Sequence, residues 1–121
     1  MLNLDTHILI HSLCDDLSKS ERKLLRQHEW AISPIVLWEL AKLVSLDRLT
    51  LDLDSIEFSR LIGQIQVLPI TLAISTTSTK LDFNSDPADE LIAATSIVHK
   101  IPLLTRDRRI LKSRLVPLAK R

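Results

Sequence analysis

Glycine is nearly missing from this chain. Gly63 is the only one in 121 residues, where an average share of about 7 % would supply roughly eight. Phosphate-cradling loops of the Walker and dinucleotide-binding kinds need two or three glycines close together, so that the backbone can approach the phosphate. Neither loop can be built here, which sets nucleotide cofactors aside. Cys14 is the sole cysteine; no internal disulfide can form, and a reducing cytoplasm is the expected location. Tyrosine is absent and aromatics total 3 %, so the core must be Leu, Ile, Val and Ala. No apolar run approaches the ~18 residues of a membrane span. The start, Met1-Leu2-Asn3-Leu4-Asp5, has no basic segment and reaches an acid at once, unlike a secretory leader. An excess of one charge is also lacking, with 16 basic against 15 acidic residues.

What is present points to one domain spanning residues 1–121. The length is that of a single domain, and apolar residues at 45 % are enough for a core. There are no repeats, no low-complexity segment and no linker. The near-neutral total hides an uneven distribution. Eight basic residues fall in the last 22, from Lys100 to Arg121, with Asp107 the only acid among them. Such a stretch is either a solvated face or a track for RNA phosphates.

Short apolar runs alternate with helical signals. Met1–Asp5, Trp30–Ile32, Val67–Leu68 and Pro102–Thr105 read as strands, and Leu115–Leu118 as a further one. Thr6–Leu13 reads as a helix. Ser18-Lys19-Ser20-Glu21 matches a capping box, with a helix to about Glu29. Ser33-Pro34 opens a helix to Leu46, serine as cap and proline at the first position. Helices are also expected over Asp54–Gln64, Pro69–Lys80 and, after the cap-like Asp86-Pro87, to about His99, with a helical turn over Asp107–Lys112. This alternation implies an α/β fold with a parallel sheet. Ligands of such sheets gather outside the carboxyl ends of the strands.

Four acids stand where acid is hard to explain. Asp5 and Asp107 follow strand-like runs. Asp89 lies in a first helical turn, one turn from Asp86. Glu39 is the only charged residue from Trp30 through Ala41. A carboxylate in so apolar a segment costs folding free energy unless something pairs with it. Each has a plain alternative: Asp5, Asp86 and Asp107 could be helix caps, Asp89 a dipole partner and Glu39 a surface position. Their joint placement argues otherwise, because clustered carboxylate oxygens bind hard divalent cations such as magnesium and manganese. His7 and His11, one helical turn apart with Cys14 beyond, have a spacing that could bind zinc, but no further cysteine completes the set.

The chain resembles PIN-domain toxins of the VapC type. The likeness rests on Leu4-Asp5-Thr6-His7, on Trp38-Glu39-Leu40 after Ser33-Pro34, and on Pro69-Ile70-Thr71. It rests equally on Asp86-Pro87-Ala88-Asp89 with Leu91-Ile92-Ala93-Ala94, and on Leu103-Leu104-Thr105-Arg106-Asp107-Arg108-Arg109-Ile110. These occur in order and cover essentially the whole chain. The resemblance implies a single three-layer α/β/α domain with a central parallel sheet. It implies a magnesium- or manganese-dependent endoribonuclease with Asp5, Glu39, Asp89 and Asp107 as catalytic, metal-binding acids, and Thr6, Asp86 and Thr105 in support. It also implies a homodimer and a VapB-like antitoxin that can place an arginine in the acidic pocket. Glu90 departs from the pattern, since many relatives carry arginine after the acid corresponding to Asp89. Two rivals stand beside this reading. An aspartyl phosphatase would want a second acid two residues after Asp5, where this chain has His7. A catalytically inactive PIN scaffold would bind RNA or protein without cutting.

Overall fold

A computed structural model describes residues 1–121. The chain runs β1 (Leu2–Leu4), α1 (Thr6–Leu13), α2 (Lys19–Gln27), β2 (Trp30–Ile32), α3 (Pro34–Ser45), α4 (Ile56–Gly63), β3 (Gln66–Val67), α5 (Leu72–Ser78), α6 (Pro87–His99), β4 (Leu103–Leu104) and α7 (Arg108–Leu111). The four strands pair in parallel in the order β3-β2-β1-β4. The expected α/β architecture with a parallel sheet is therefore present.

Strand β1 sits inside the sheet and is covered on both faces. Side chains alternate across a strand. The Asn3 amide reaches one face, where it donates to the Ile92 carbonyl at 3.1 Å and to Ser96 Oγ at 2.9 Å, both on α6. Leu2 and Leu4 point to the opposite face and are also fully buried. Helices thus sandwich the sheet. The core is aliphatic, as the scarcity of aromatics requires: Leu2, Leu4, Ile8, Leu9, Ile32, Val36, Leu40, Ile92, Leu103, Leu104 and Ile110 form one cluster.

Local signals account for most boundaries. Ser18 and Glu21 make both bonds of the capping box, and Ser33 caps α3 with Pro34 behind it. Thr71 and Thr79 cap α5, so only Leu72–Ser78 of the expected Pro69–Lys80 stretch is helical. Helix α4 starts after Ser55, which accepts from the Phe58 amide, rather than at Asp54. The expected strand over Leu115–Leu118 reduces to one bridge between Leu103 and Leu118. With glycine so scarce, Asp15, Asp47 and Lys100 take positive φ angles of 52°, 56° and 55°, a conformation that strains most side chains. No helix is long and apolar enough to cross a membrane.

All four strands point the same way, so their carboxyl ends share one edge. Asp5 follows β1, Ser33 follows β2 and Thr105 follows β4 at that edge.

Candidate active site

An open cleft of about 480 Å³ lies at this edge, lined by Asp5, His7, Glu39, Asp86, Asp89, Arg106, Asp107, Arg108 and Arg109. No hydrophobic side chain lines it. All four acids singled out from the sequence, and Asp86, are on its wall.

Each acid is set by its element. Asp5 is the N-cap of α1 and is 5 % exposed. Its Oδ1 accepts the Thr6 amide at 2.8 Å and its Oδ2 accepts the Thr105 hydroxyl at 2.6 Å. The cap explanation of Asp5 is thus correct but incomplete, because the second oxygen is held from β4, far along the chain. Glu39 lies in α3 and is half-buried; its Oε1 accepts the hydroxyl of Thr6. Asp89, in the first turn of α6, accepts the Ser85 hydroxyl at 2.8 Å. Asp107 caps α7, with Oδ1 accepting the amides of Arg109 and Ile110 at 2.8 and 3.3 Å. Thr105 Oγ accepts the Asp107 amide at 3.0 Å. One hydroxyl therefore ties Asp5 to the Asp107 backbone.

Asp86 behaves differently from the cap its position suggests. It occupies the N-cap of α6, but its side chain makes no cap bond. It stands instead on the wall of the cleft.

The electrostatics show uncompensated negative charge. Burial pushes the Glu39 carboxyl above the ordinary range, and the charges of Asp89 and Asp5 push it further, against the Thr6 hydrogen bond. Burial likewise raises Asp89, joined by repulsion from Asp5, Asp107 and Asp86 and opposed by Ser85. The acids are near enough to feel one another. Even so, no three His, Cys, Asp or Glu side chains stand as a ready ligand set for one ion. Carboxylate oxygens are nonetheless the donors that a hard divalent cation takes. Hard oxygen donors and mutual repulsion are the chemistry that such an ion relieves.

Several residues beyond the expected acids and their supports also belong to the site or its surroundings. His7 lies on the cleft wall, and His11 pairs with Asp16 at 3.2 Å. Arg106, Arg108 and Arg109 line the same cleft, the last two exposed and Arg106 with its guanidinium turned to Glu21. Ser85 follows no motif and is found only through its bond to Asp89. Glu21 escaped because its capping role already explained it. It is fully buried, and Arg106 meets it through Nε at 2.9 Å and Nη2 at 2.7 Å, with Arg121 Nη1 at 2.9 Å. The hydrogen bonds from Arg106 hold its carboxyl at about 2 despite burial.

The PIN domain family profile matches residues 3–114. The chain belongs to the PIN domain family. Among curated proteins it is similar to Ribonuclease VapC22 of Mycobacterium tuberculosis, 35 % identical over 85 residues. That alignment takes in 68 % of this chain and 65 % of the relative, so it spans less than two thirds of the relative's length. Among solved structures, FitAcB from Neisseria gonorrhoeae superposes with a TM-score of 0.73 at 20 % identity, covering 99 % of this chain and 97 % of that one. VapBC2 from Rickettsia felis, bound to a promoter DNA fragment, gives 0.71 at 19 % identity and 98 % coverage of both. A toxin-antitoxin complex from Klebsiella pneumoniae gives 0.69 at 20 % identity, covering 93 % and 91 %. At such identities these structures establish a shared PIN fold.

Proposed function

We propose that this PIN domain is a magnesium- or manganese-dependent endoribonuclease, the toxin half of a toxin–antitoxin pair. The observation that carries the reading is the convergence of Asp5, Glu39, Asp89 and Asp107, from four separate elements, on one cleft with no apolar lining.

These four carboxylates would hold the cation. Thr105 and the Thr6 amide fix the Asp5 carboxylate, the Thr6 hydroxyl fixes Glu39, and Ser85 fixes Asp89. A bound divalent ion would offset their repulsion, polarise a phosphoryl oxygen and make water a competent nucleophile near neutral pH. Asp86 adds negative charge at the mouth. Arg108 and Arg109, exposed on the cleft wall, supply cations for the flanking phosphates of an RNA strand. The acids alone would repel that strand; the arginines let it approach.

The antitoxin part of the proposal has its own support. A second cavity of about 490 Å³, lined by Ile35, Trp38, Pro87, Ala88 and Leu91, shares Glu39 and Asp86 with the acidic cleft. Trp38 is 57 % exposed there. A VapB-like segment with an apolar face and an arginine fits this pair of cavities, the apolar side chains in one and the guanidinium in the other. The Klebsiella pneumoniae structure of the same fold is a toxin-antitoxin complex, which supports this class of partner, and a homodimer is the expected form of the toxin.

The test is incubation of the purified protein with total RNA, with and without magnesium, followed by mapping of the ends. New ends that appear only with the ion are expected. RNA bound without new ends at any magnesium concentration overturns the proposal in favour of an inactive scaffold.

A further inference from the structure

Resting on the proposed nuclease reading, we infer that Glu21 is a positioning residue. It is the anchor of an ionic clamp that holds Thr105 and Asp107 in register with Asp5.

The loop from Thr105 to Asp107 carries two groups of the cleft, yet it follows a strand of only two residues. Its backbone has little ladder to hold it. Side chains hold it instead. Arg106 points away from the loop into α2, where Nε and Nη2 bond both oxygens of Glu21, and Nη2 also reaches the Asp16 carbonyl at 3.0 Å. Arg121 bonds Glu21 through Nη1, and its other terminal nitrogen donates to the Thr105 carbonyl. The Ser18 amide gives Glu21 Oε1 a further bond at 2.9 Å. The clamp thus grips the backbone of Thr105 and the side chain of the next residue.

Between those grips lies the Thr105 hydroxyl, which donates to Asp5 and accepts from the Asp107 amide. A shift of the loop misplaces both contacts at once. Loss of Glu21 has a second consequence. Arg106 is already part of the cleft wall. Without Glu21, the guanidinium would be free to turn to the carboxylates of that cleft, where it would compete with a metal ion. A buried carboxylate with charged bonds from two arginines far along the chain does more than cap α2. The cap needs only Ser18 and the glutamate's reach back to it.

The experiment compares wild type, Glu21→Gln and Arg121→Ala by amide hydrogen exchange and by RNA cleavage kinetics. In Glu21→Gln the Asp107 amide should exchange about tenfold faster, while Ile92 and Ala93 in α6 keep wild-type protection. Its kcat should fall about tenfold with KM for RNA nearly unchanged, because the loop acts on the reacting centre rather than on RNA binding. Arg121→Ala, which leaves the Glu21–Arg106 pair intact, should show the same pattern at lower amplitude and decides the matter if Glu21→Gln does not fold. Wild-type exchange at Asp107 in the folded variants overturns the clamp, as does an increase spread evenly over α6. The exchange readout needs no RNA. It therefore distinguishes failure of the clamp from failure of the nuclease proposal, in which the wild type cuts nothing yet the Asp107 effect remains.

Discussion

Two groups of buried or half-buried acid sit on either side of Arg106, and they have opposite electrostatics. In the clamp, a single carboxylate, Glu21, is met by two guanidiniums and a backbone amide, and its pKa is driven down to about 2. In the cleft, Glu39 and Asp89 have one hydroxyl donor each and other carboxylates as neighbours, and both are pushed up. The same residue type is structural where the protein supplies its counter-charge. It is a candidate for chemistry where the protein leaves the charge for something else to neutralise. An acid paired with the protein's own cations is held in place; acids left among like charges cost stability until a cation joins them.

The contrast is broken most severely by removing cleft acids. Asp5→Asn or Asp89→Asn should reduce RNA cleavage about a thousandfold or more, equivalent to roughly 4 kcal/mol of transition-state stabilisation. Melting temperature in metal-free buffer should stay level or rise. Parental cleavage by either variant removes that residue from the site. The clamp should respond in the other way. Glu21→Ala leaves two partly exposed arginines without their partner and should cost about 2–3 kcal/mol in denaturant unfolding.

Acid pH sharpens the comparison, because the two regions carry opposite signs. The folded-state pKa of Glu21 is depressed, so its contribution is present above the ordinary carboxylate range and is lost as pH falls toward about 2. The folded-state pKa values of Glu39 and Asp89 are raised. Their charged forms therefore destabilise the fold, and the penalty grows as pH rises through those raised values. Glu39→Gln should raise Tm at pH 7 with chelator present, by a few degrees at most because half-exposure screens the repulsion. The gain should vanish near pH 4, below the raised pKa. Thermal melts from pH 4 to 8 check the slope, and a gain independent of pH contradicts it. The smallest effect belongs to Ser85→Ala, which removes the donor that restrains the rise at Asp89. Cleavage should fall about tenfold or less, with the acid limb of the pH–rate profile moved upward.

Much of the fold was legible because local rules and global packing agree. Ser18 with Glu21, Ser33 with Pro34, and the apolar triplet Trp30–Ile32 each state their own boundary. The acids were legible for a different reason: a lone Glu39 in an apolar helix and acids after strand ends are local anomalies. What could not be read were partnerships across the chain. Glu21 looked complete as a capping-box residue, and nothing near it announces Arg106, 85 residues on. Asp86 carried two readings, helix cap and supporting residue of the acidic cluster; its side chain makes no cap bond and lines the cleft. Leu115–Leu118 has strand-like composition but makes only one bridge, to Leu103.

Cleft acids from four elements are proposed to share the binding of divalent cation. Calorimetric titration of manganese into the wild type and into Asp89→Asn tests it most directly. Saturable binding by the wild type and its loss in the folded variant is the predicted result. Equal binding by both, or none by the wild type, contradicts the account.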